Sequence, residues 1–434
     1  MSKVSKKAAT TLVETMKRIY EKGLTTMTGG NLSIKEPDGV WVTPASIDKS
    51  TLREEDMLFI KQDGTIEGNH RVTSEFPAHR AILESNVGYF NAVLHTHMPT
   101  MVAYGGAHCI PNLHVLRKAY QKLGNKVGLA KYGLGGSEAL AQNTAAALTY
   151  PNRASVLENH AIFTAGKCMK DAYEALEIMD LVARVEGNGA ILSDSAISLL
   201  NKEQRKAIDA YNAPAHDVNN ELLEDEESAR VSDQIVLLMK RLYQRNIITG
   251  TIGTISTCLD DGRVLITPDG IDVVDLQPQD IVIMKDGLRS GNGLPSDDYL
   301  LHQCIYKHNP KTKSVITASP KYIMAYGIND EPFASNVIGE AYYFISNVLK
   351  HEFGIGEEYW DFVAQKFDLL HQTAIIKNDC FIVLGKSLLN AYDIIEVSES
   401  TAKGLVLTAR TIKPVGLDKN SVDYYSEKMM KKYG

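Results

Sequence analysis

The chain has 434 residues, 44% hydrophobic and 23% charged, with 32 Gly and 14 Pro. That composition belongs to a folded protein of two or three domains and excludes disordered, collagen-like and mucin-like chains. A formal net charge of -7 at pH 7 excludes a broadly basic nucleic-acid or membrane-surface protein and leaves room for a local anion site.

The first residues, MSKVSKKAATTLVETMKRIY, contain early lysines but no apolar run ending in a small-residue cleavage site. No uncharged apolar run approaches the ~18 residues of a membrane span. The five cysteines are odd in number and show no C-x-x-C spacing, which fits a reduced, cytoplasmic compartment. Apolar positions at helical spacing predict a helix over 11–22, stopped before Thr28-Gly29-Gly30. Strands are predicted at 31–35 and 40–42 around a Pro-Asp-Gly turn, and at 57–61 before Gln-Asp-Gly. Ser74 is the expected N-cap of a helix to about residue 84. Residues 91–97 alternate as a strand, with Val93, His95 and His97 on one face and Ala92, Leu94 and Thr96 on the other. Helices near 113–123 and 136–149, a strand at 155–159, a Gly166-Lys167 turn and a helix over 170–184 follow.

Beyond 186 come a short predicted helix (195–211), then Pro214-Ala215-His216 and the acidic run ELLEDEESAR. The acidic stretch reads as a solvent-facing connector and divides the chain into domains 1–225 and 226–434. The second half repeats the first. MKRIYEKGL from Met16 returns as MKRLYQRNI from Met239, TSEFPAHRAI from Thr73 as SDDYLLHQCI from Ser296, and GKCMKDAY from Gly166 as GKSLLNAY from Gly385. A period of roughly 220 residues means two copies of a whole domain, since solenoid units span about 20 to 50. The expected fold is α/β: a three-layer α/β/α domain with a largely antiparallel central sheet, present twice.

Chemistry gathers in the first copy. His95 and His97 project from one face of a strand, His160 follows a later strand, and Glu75 opens a helix. Three imidazoles with a carboxylate or an open fourth position make a catalytic zinc set, although a lone H-x-H is more often structural. His79, one turn after Glu75, reads as a packing or orienting partner and not as a ligand. Thr28-Gly29-Gly30-Asn31 and Thr73-Ser74 offer hydroxyls and backbone N–H groups to an anion, or else serve only as turn and cap residues. Neither a Walker loop nor a dinucleotide fingerprint is present there, and GLGGS at 133–137 reads as a helix entry.

Taken in order, T-x-G-N-x-S (28–33), V-T-P-x-S (42–46), S-E-x-x-x-H (74–79), H-T-H (95–97) and N-H-A (159–161) resemble the class II aldolase/adducin family. The zinc-dependent L-fuculose-1-phosphate aldolases are nearest in motif. The resemblance implies His95, His97 and His160 as ligands of one Zn2+ per chain, with Glu75 as acid/base. It implies Thr28, Asn31, Ser46, Thr73 and Ser74 as the cradle of a small phosphorylated sugar, cleaved or formed through a dihydroxyacetone-phosphate enediolate. Epimerase, dehydratase and decarboxylase chemistry on this scaffold stay open, as does a non-catalytic adducin-like role. Ser46 stands where the family usually has glycine, and Val115 where the fuculose-phosphate enzymes carry a catalytic tyrosine, leaving His114 or Tyr120 as stand-in proton donors.

In the second copy His95 becomes Thr317, His97 becomes Ser319, His160 becomes Asp379 and Glu75 becomes Asp298, a poor zinc set. Thr267-Pro268-Asp269-Gly270 and Ser296 survive and leave a second anion site conceivable. The closing K-x-Y-G resembles the family's tail, which lends a tyrosine to a neighbouring site. It implies a homo-oligomer, a dimer of two-domain chains arranged as a pseudo-tetramer, with Tyr433 as a further catalytic residue.

Overall fold

The computed structural model describes residues 3–219, 221–222, 225–291 and 293–433. Two eight-stranded sheets form. The first holds β1 (Asn31–Glu36), β2 (Gly39–Val42), β3 (Leu58–Lys61), β4 (Ile66–Glu67), β5 (Ala92–Thr96), β6 (Val127–Ala130), β7 (Ala154–Leu157) and β8 (Ile162–Gly166). The second holds β9 (Thr254–Cys258), β10 (Val264–Ile266), β11 (Val282–Lys285), β12 (Leu288–Arg289), β13 (Ser314–Ala318), β14 (Val348–His351), β15 (Thr373–Ile376) and β16 (Cys380–Gly385).

Strand order is β4-β3-β2-β1-β5-β8-β7-β6 in one and β12-β11-β10-β9-β13-β16-β15-β14 in the other, the same path walked twice. Among the described strands, the ladders β6–β7 and β14–β15 are parallel and the others antiparallel, so each sheet is largely antiparallel as expected. Register repeats too. Asn31 faces His95 across β1–β5, and Thr254 faces Thr317 across β9–β13.

By packing, one compact unit takes the residues up to Leu113 with Lys122–Ala183; the other takes His114–Gln121 with Arg184–Gly434. In the first, helices Phe76–Ser85 and Glu138–Ala147 cover the sheet face of Val93, Phe163 and Ala165. The opposite face meets helix Lys3–Glu21, whose Leu12, Met16 and Ile19 are fully buried. It also meets helix Met169–Leu192, where Thr164 Oγ1 donates to the Ala172 carbonyl. Two helical layers therefore sandwich the sheet. The second unit repeats this with helix Tyr299–His308 and helix Glu357–Ala364 packed over Val315, Ile382 and Leu384. Among the described residues no helix is long and apolar enough to cross a membrane.

Several local readings need correction. Helix Pro99–Gly106, strand β6 and the fully buried strand at 162–166 are absent from the expected elements, and the first helix starts at Lys3, eight residues before the expected 11. The helix expected over 195–211 covers only Lys202–Ala210, started by a capping box between Asn201 and Gln204. Glu75, not Ser74, holds the N-cap place of helix Phe76–Ser85, and its side chain makes no cap hydrogen bond because the carboxylate is turned elsewhere.

Candidate active site

The carboxylate of Glu75 is turned toward three imidazoles. Its Oε2 lies 3.2 Å from His95 Nε2 and its Oε1 3.1 Å from His160 Nε2. His97 Nε2 and His160 Nε2 are 3.2 Å apart, and one ligand atom from each of the four residues lies within 4.8 Å of the others. The fold explains the convergence. His95 is the penultimate residue of a central strand, His97 follows just beyond its end, and Asn159 at φ 51 turns the chain so that His160 comes back to meet them. Gly30 packs against this strand at φ 76, and a Cβ there would come 2.8 Å from the His95 carbonyl oxygen.

A cation fits this set. His95 Nδ1 donates to the Ile162 carbonyl at 2.9 Å, which leaves Nε2 with its lone pair aimed at Glu75. That Nε2 is fully buried and has no hydrogen-bond partner. A lone pair facing a carboxylate is repulsive, and either a proton or a metal ion between them relieves it. Three nitrogens and one oxygen form a donor set suited to Zn2+. Burial alone would raise the Glu75 carboxyl; with a proton on His95 Nε2, that ring's charge and hydrogen bond, together with the hydrogen bonds from His160 and Asn31, hold it well below the usual carboxylate range. Burial, with His95 and His160 beside it, lowers His97 to about 4 and so favours the neutral, metal-binding ring.

A relay of buried groups orients Glu75. Asn31 Nδ2 donates to Glu75 Oε2 at 2.7 Å and to Thr73 Oγ1 at 3.1 Å. Its Oδ1 must then accept from His79 Nε2, 2.6 Å away, which leaves His79 Nδ1 to accept from Ser33 Oγ at 2.7 Å. His79 is thus an orienting group, not a ligand. The Ser33–His79 pair was missed as a unit in the sequence, yet it recurs as Ser256–His302 at 2.7 Å. There His302 Nε2 lies 3.1 Å from Thr317 Oγ1, which donates to Asp298 at 2.8 Å. Each copy therefore runs a serine–histidine relay to its acid.

Beside the cluster is a cavity of about 450 Å³ lined by Thr28, Asn31, Ser46, Thr73, Ser74 and His97, among others. All five expected cradle residues face it, although the Asn31 amide is also spent on Glu75. Two lining cations were not foreseen. Arg71 lies 3.4 Å from Ser46 Oγ, and Lys49, almost wholly buried, donates to the Pro44 carbonyl at 3.0 Å. Burial lowers the Lys49 amine to about 8. Ser46 adopts φ 57, the left-handed backbone that its counterpart Gly270 takes at φ 72, so the glycine-type bend is kept without glycine.

The remaining expected residues are not part of the first unit. Tyr120 donates to Asp209 at 2.9 Å and His114 packs edge-on against it, both in the second unit. The side chain of Tyr433 lies outside the described residues. In the second copy Lys49 is replaced by Val273, Arg71 by Leu294 and Ser74 by Asp297, so the surviving Thr267 and Ser296 lack counterparts of both lining cations.

Residues 10–186 and again 233–406 match the profile of the class II aldolase and adducin N-terminal domain. Over 175 residues the chain is 31% identical to a 5-methylthioribulose-1-phosphate/5-deoxyribulose-1-phosphate aldolase of Rhodospirillum rubrum, covering 39% of this chain and 76% of that protein. It is 27% identical over 167 residues to an L-fuculose phosphate aldolase of Methanococcus maripaludis, covering 38% and 89%. A 3-oxo-tetronate 4-phosphate decarboxylase of Haemophilus influenzae is 29% identical over 181 residues, covering 39% and 83%. With both halves of its length matched in this way, the chain belongs to the class II aldolase and adducin family.

Proposed function

We propose that this protein is a zinc-dependent lyase of the class II aldolase type. In this reading it cleaves or forms a ketose phosphate at one site per chain, in the first copy. The observation that carries the reading is the orphaned His95 Nε2 among Glu75, His97 and His160, beside a cavity holding Lys49 and Arg71.

His95, His97 and His160 would hold the ion, with Glu75 as a fourth donor. When bound, the ion supplies a Lewis acid that polarises the substrate's carbonyl and hydroxyl oxygens. Thr28, Ser46, Thr73 and Ser74 hold the phosphate by hydroxyl and backbone N–H groups, while Arg71 and Lys49 balance its charge. That grip fixes the distance from the phosphate to the reacting carbon. Glu75, oriented by Asn31, moves the proton on the carbon next to the carbonyl. As ligands, His97 and His95 would each bind through a ring nitrogen that carries no proton.

Names among the relatives supply the second reading, decarboxylation of a 3-oxo acid phosphate, which needs the same polarised carbonyl. Epimerase and dehydratase readings use it too. We further propose that chains pair as a pseudo-tetramer in which Tyr433 reaches a neighbour's site, and that the protein works in the cytoplasm with its five cysteines reduced. The domain division at 225–226 is part of the same proposal.

The test is metal content of the purified protein, followed by an assay for dihydroxyacetone phosphate released from a panel of ketose 1-phosphates. One Zn2+ per chain with release from at least one sugar supports the lyase. Metal-replete protein that instead liberates CO2 from 3-oxo acid phosphates selects the second reading.

A further inference from the structure

The second copy's counterpart of the metal cradle is filled by side chains. Asp298, in the place of Glu75, and Asp379, in the place of His160, are both nearly fully buried. Between them lies the guanidinium of Arg117, itself 1% exposed. Arg117 Nε donates to Asp379 Oδ1 at 2.6 Å and Nη2 to Asp298 Oδ1 at 3.0 Å, with Nη1 3.6 Å from Asp297. Lys118 Nζ adds a contact to Asp298 at 3.0 Å and another to Asp297.

The mount is made of backbone as well. Arg117 N donates to the Asn378 carbonyl at 2.7 Å, and Asn378 Nδ2 donates to the Val115 carbonyl at 3.0 Å. Asn378 is the left-handed counterpart of Asn159, at φ 57 against 51. The turn that delivers His160 to the first cluster therefore delivers Asp379 to Arg117. Segment 114–121 belongs to the second unit, so all of these contacts lie within one compact body.

We propose that Arg117 and Lys118 are the resident cation of the second copy, a protein-borne replacement for a divalent ion. Two monovalent groups supply the same 2+ charge. The replacements around them agree. Two imidazoles have become the hydroxyls of Thr317 and Ser319, which ligate a metal poorly. Thr317 instead donates to Asp298 and Ser319 to the Asp379 carbonyl at 3.1 Å, tightening the acids around the guanidinium. Asp297 stands where the first copy has Ser74, adding negative charge where a phosphate would need none. Asp379 Oδ2 is buried without a hydrogen-bond partner, so this acid depends on Arg117 for its compensation. Removing one partner of a buried ion pair leaves the other charge uncompensated, and the cradle should therefore require its arginine. The comparison of positions rests on the metal reading of the first copy; the ion pairing does not.

The experiment is a charge-compensation cycle read by thermal unfolding of the full chain: wild type, Arg117→Ala, the pair Asp298→Asn with Asp379→Asn, and all three together. Arg117→Ala is expected to lose on the order of 10 °C in Tm, and neutralising both acids should recover most of that loss. If Arg117→Ala does not fold, the triple variant decides, since it should fold. Losses that simply add, or a triple variant no more stable than Arg117→Ala, overturn the proposal. A metal count gives the second arm. Protein with His95→Ala and His97→Ala should retain no Zn2+, and a retained equivalent would show that the second cradle takes a metal. A wild type without zinc would sink the lyase reading and leave the cycle readable.

Discussion

Asn31 faces His95 across the β1–β5 ladder, and its amide reaches the same Glu75 oxygen that lies 3.2 Å from the His95 ring. One strand pair thus sets one imidazole of the cluster and the amide that aims Glu75. Asn31→Ala should weaken metal binding by about 10- to 100-fold and lower kcat/KM in step. Competition with a zinc chelator reads the first quantity. Unchanged affinity would mean that Glu75 is oriented without Asn31.

Glu75→Gln keeps the shape of the side chain and removes its ability to take a proton. The expected result is metal retained near one per chain and kcat lowered by about 10²- to 10⁴-fold. Single-turnover measurement on metal-loaded protein distinguishes this from a loss of zinc.

Lys49 gives the cavity a pH signature. Burial brings its amine from an ordinary 10.5 down to about 8, so it is charged below that pH and neutral above it. Inhibition by inorganic phosphate should therefore weaken as pH rises through about 8, and Lys49→Met should flatten that profile. Stability runs the other way. The unfolded chain binds the extra proton between about 8 and 10.5, so the Lys49 contribution to stability rises over that window.

Gly30→Ala tests the backbone. A methyl group 2.8 Å from the His95 carbonyl, on a residue at φ 76, forces β1 and β5 apart at a cost of about 1–3 kcal/mol. Thermal unfolding should show the loss, and metal affinity should fall with it because His95 moves with its carbonyl.

Tyr433→Phe should lower kcat in the assembled protein and leave zinc content unchanged. An unaltered kcat removes Tyr433 from the site.

Much of the fold was legible because hydrophobic spacing carries it. Helix Lys3–Glu21 and strand β5 announce themselves through period, and the repeat through anchors such as Met16 and Met239. Strand β8 did not, because all five of its residues are buried and a short apolar run without alternation has no period to read. The four residues of the His/Glu cluster came from motif order. Lys49 was invisible to motif logic, which asks only for hydroxyls and backbone donors, although its replacement by Val273 was a usable contrast between the halves. Arg117 had no local signal at all. Its partner Asp379 is 262 residues away, and only the folded second unit brings them together.

The matching strand order of the two sheets makes each half a control for the other. A change at Ser33 can be repeated at Ser256, where the same hydrogen bond to a buried histidine exists without the three-imidazole cluster. Whatever the first change does beyond the second isolates the demands of chemistry from those of folding, inside one polypeptide and one test tube.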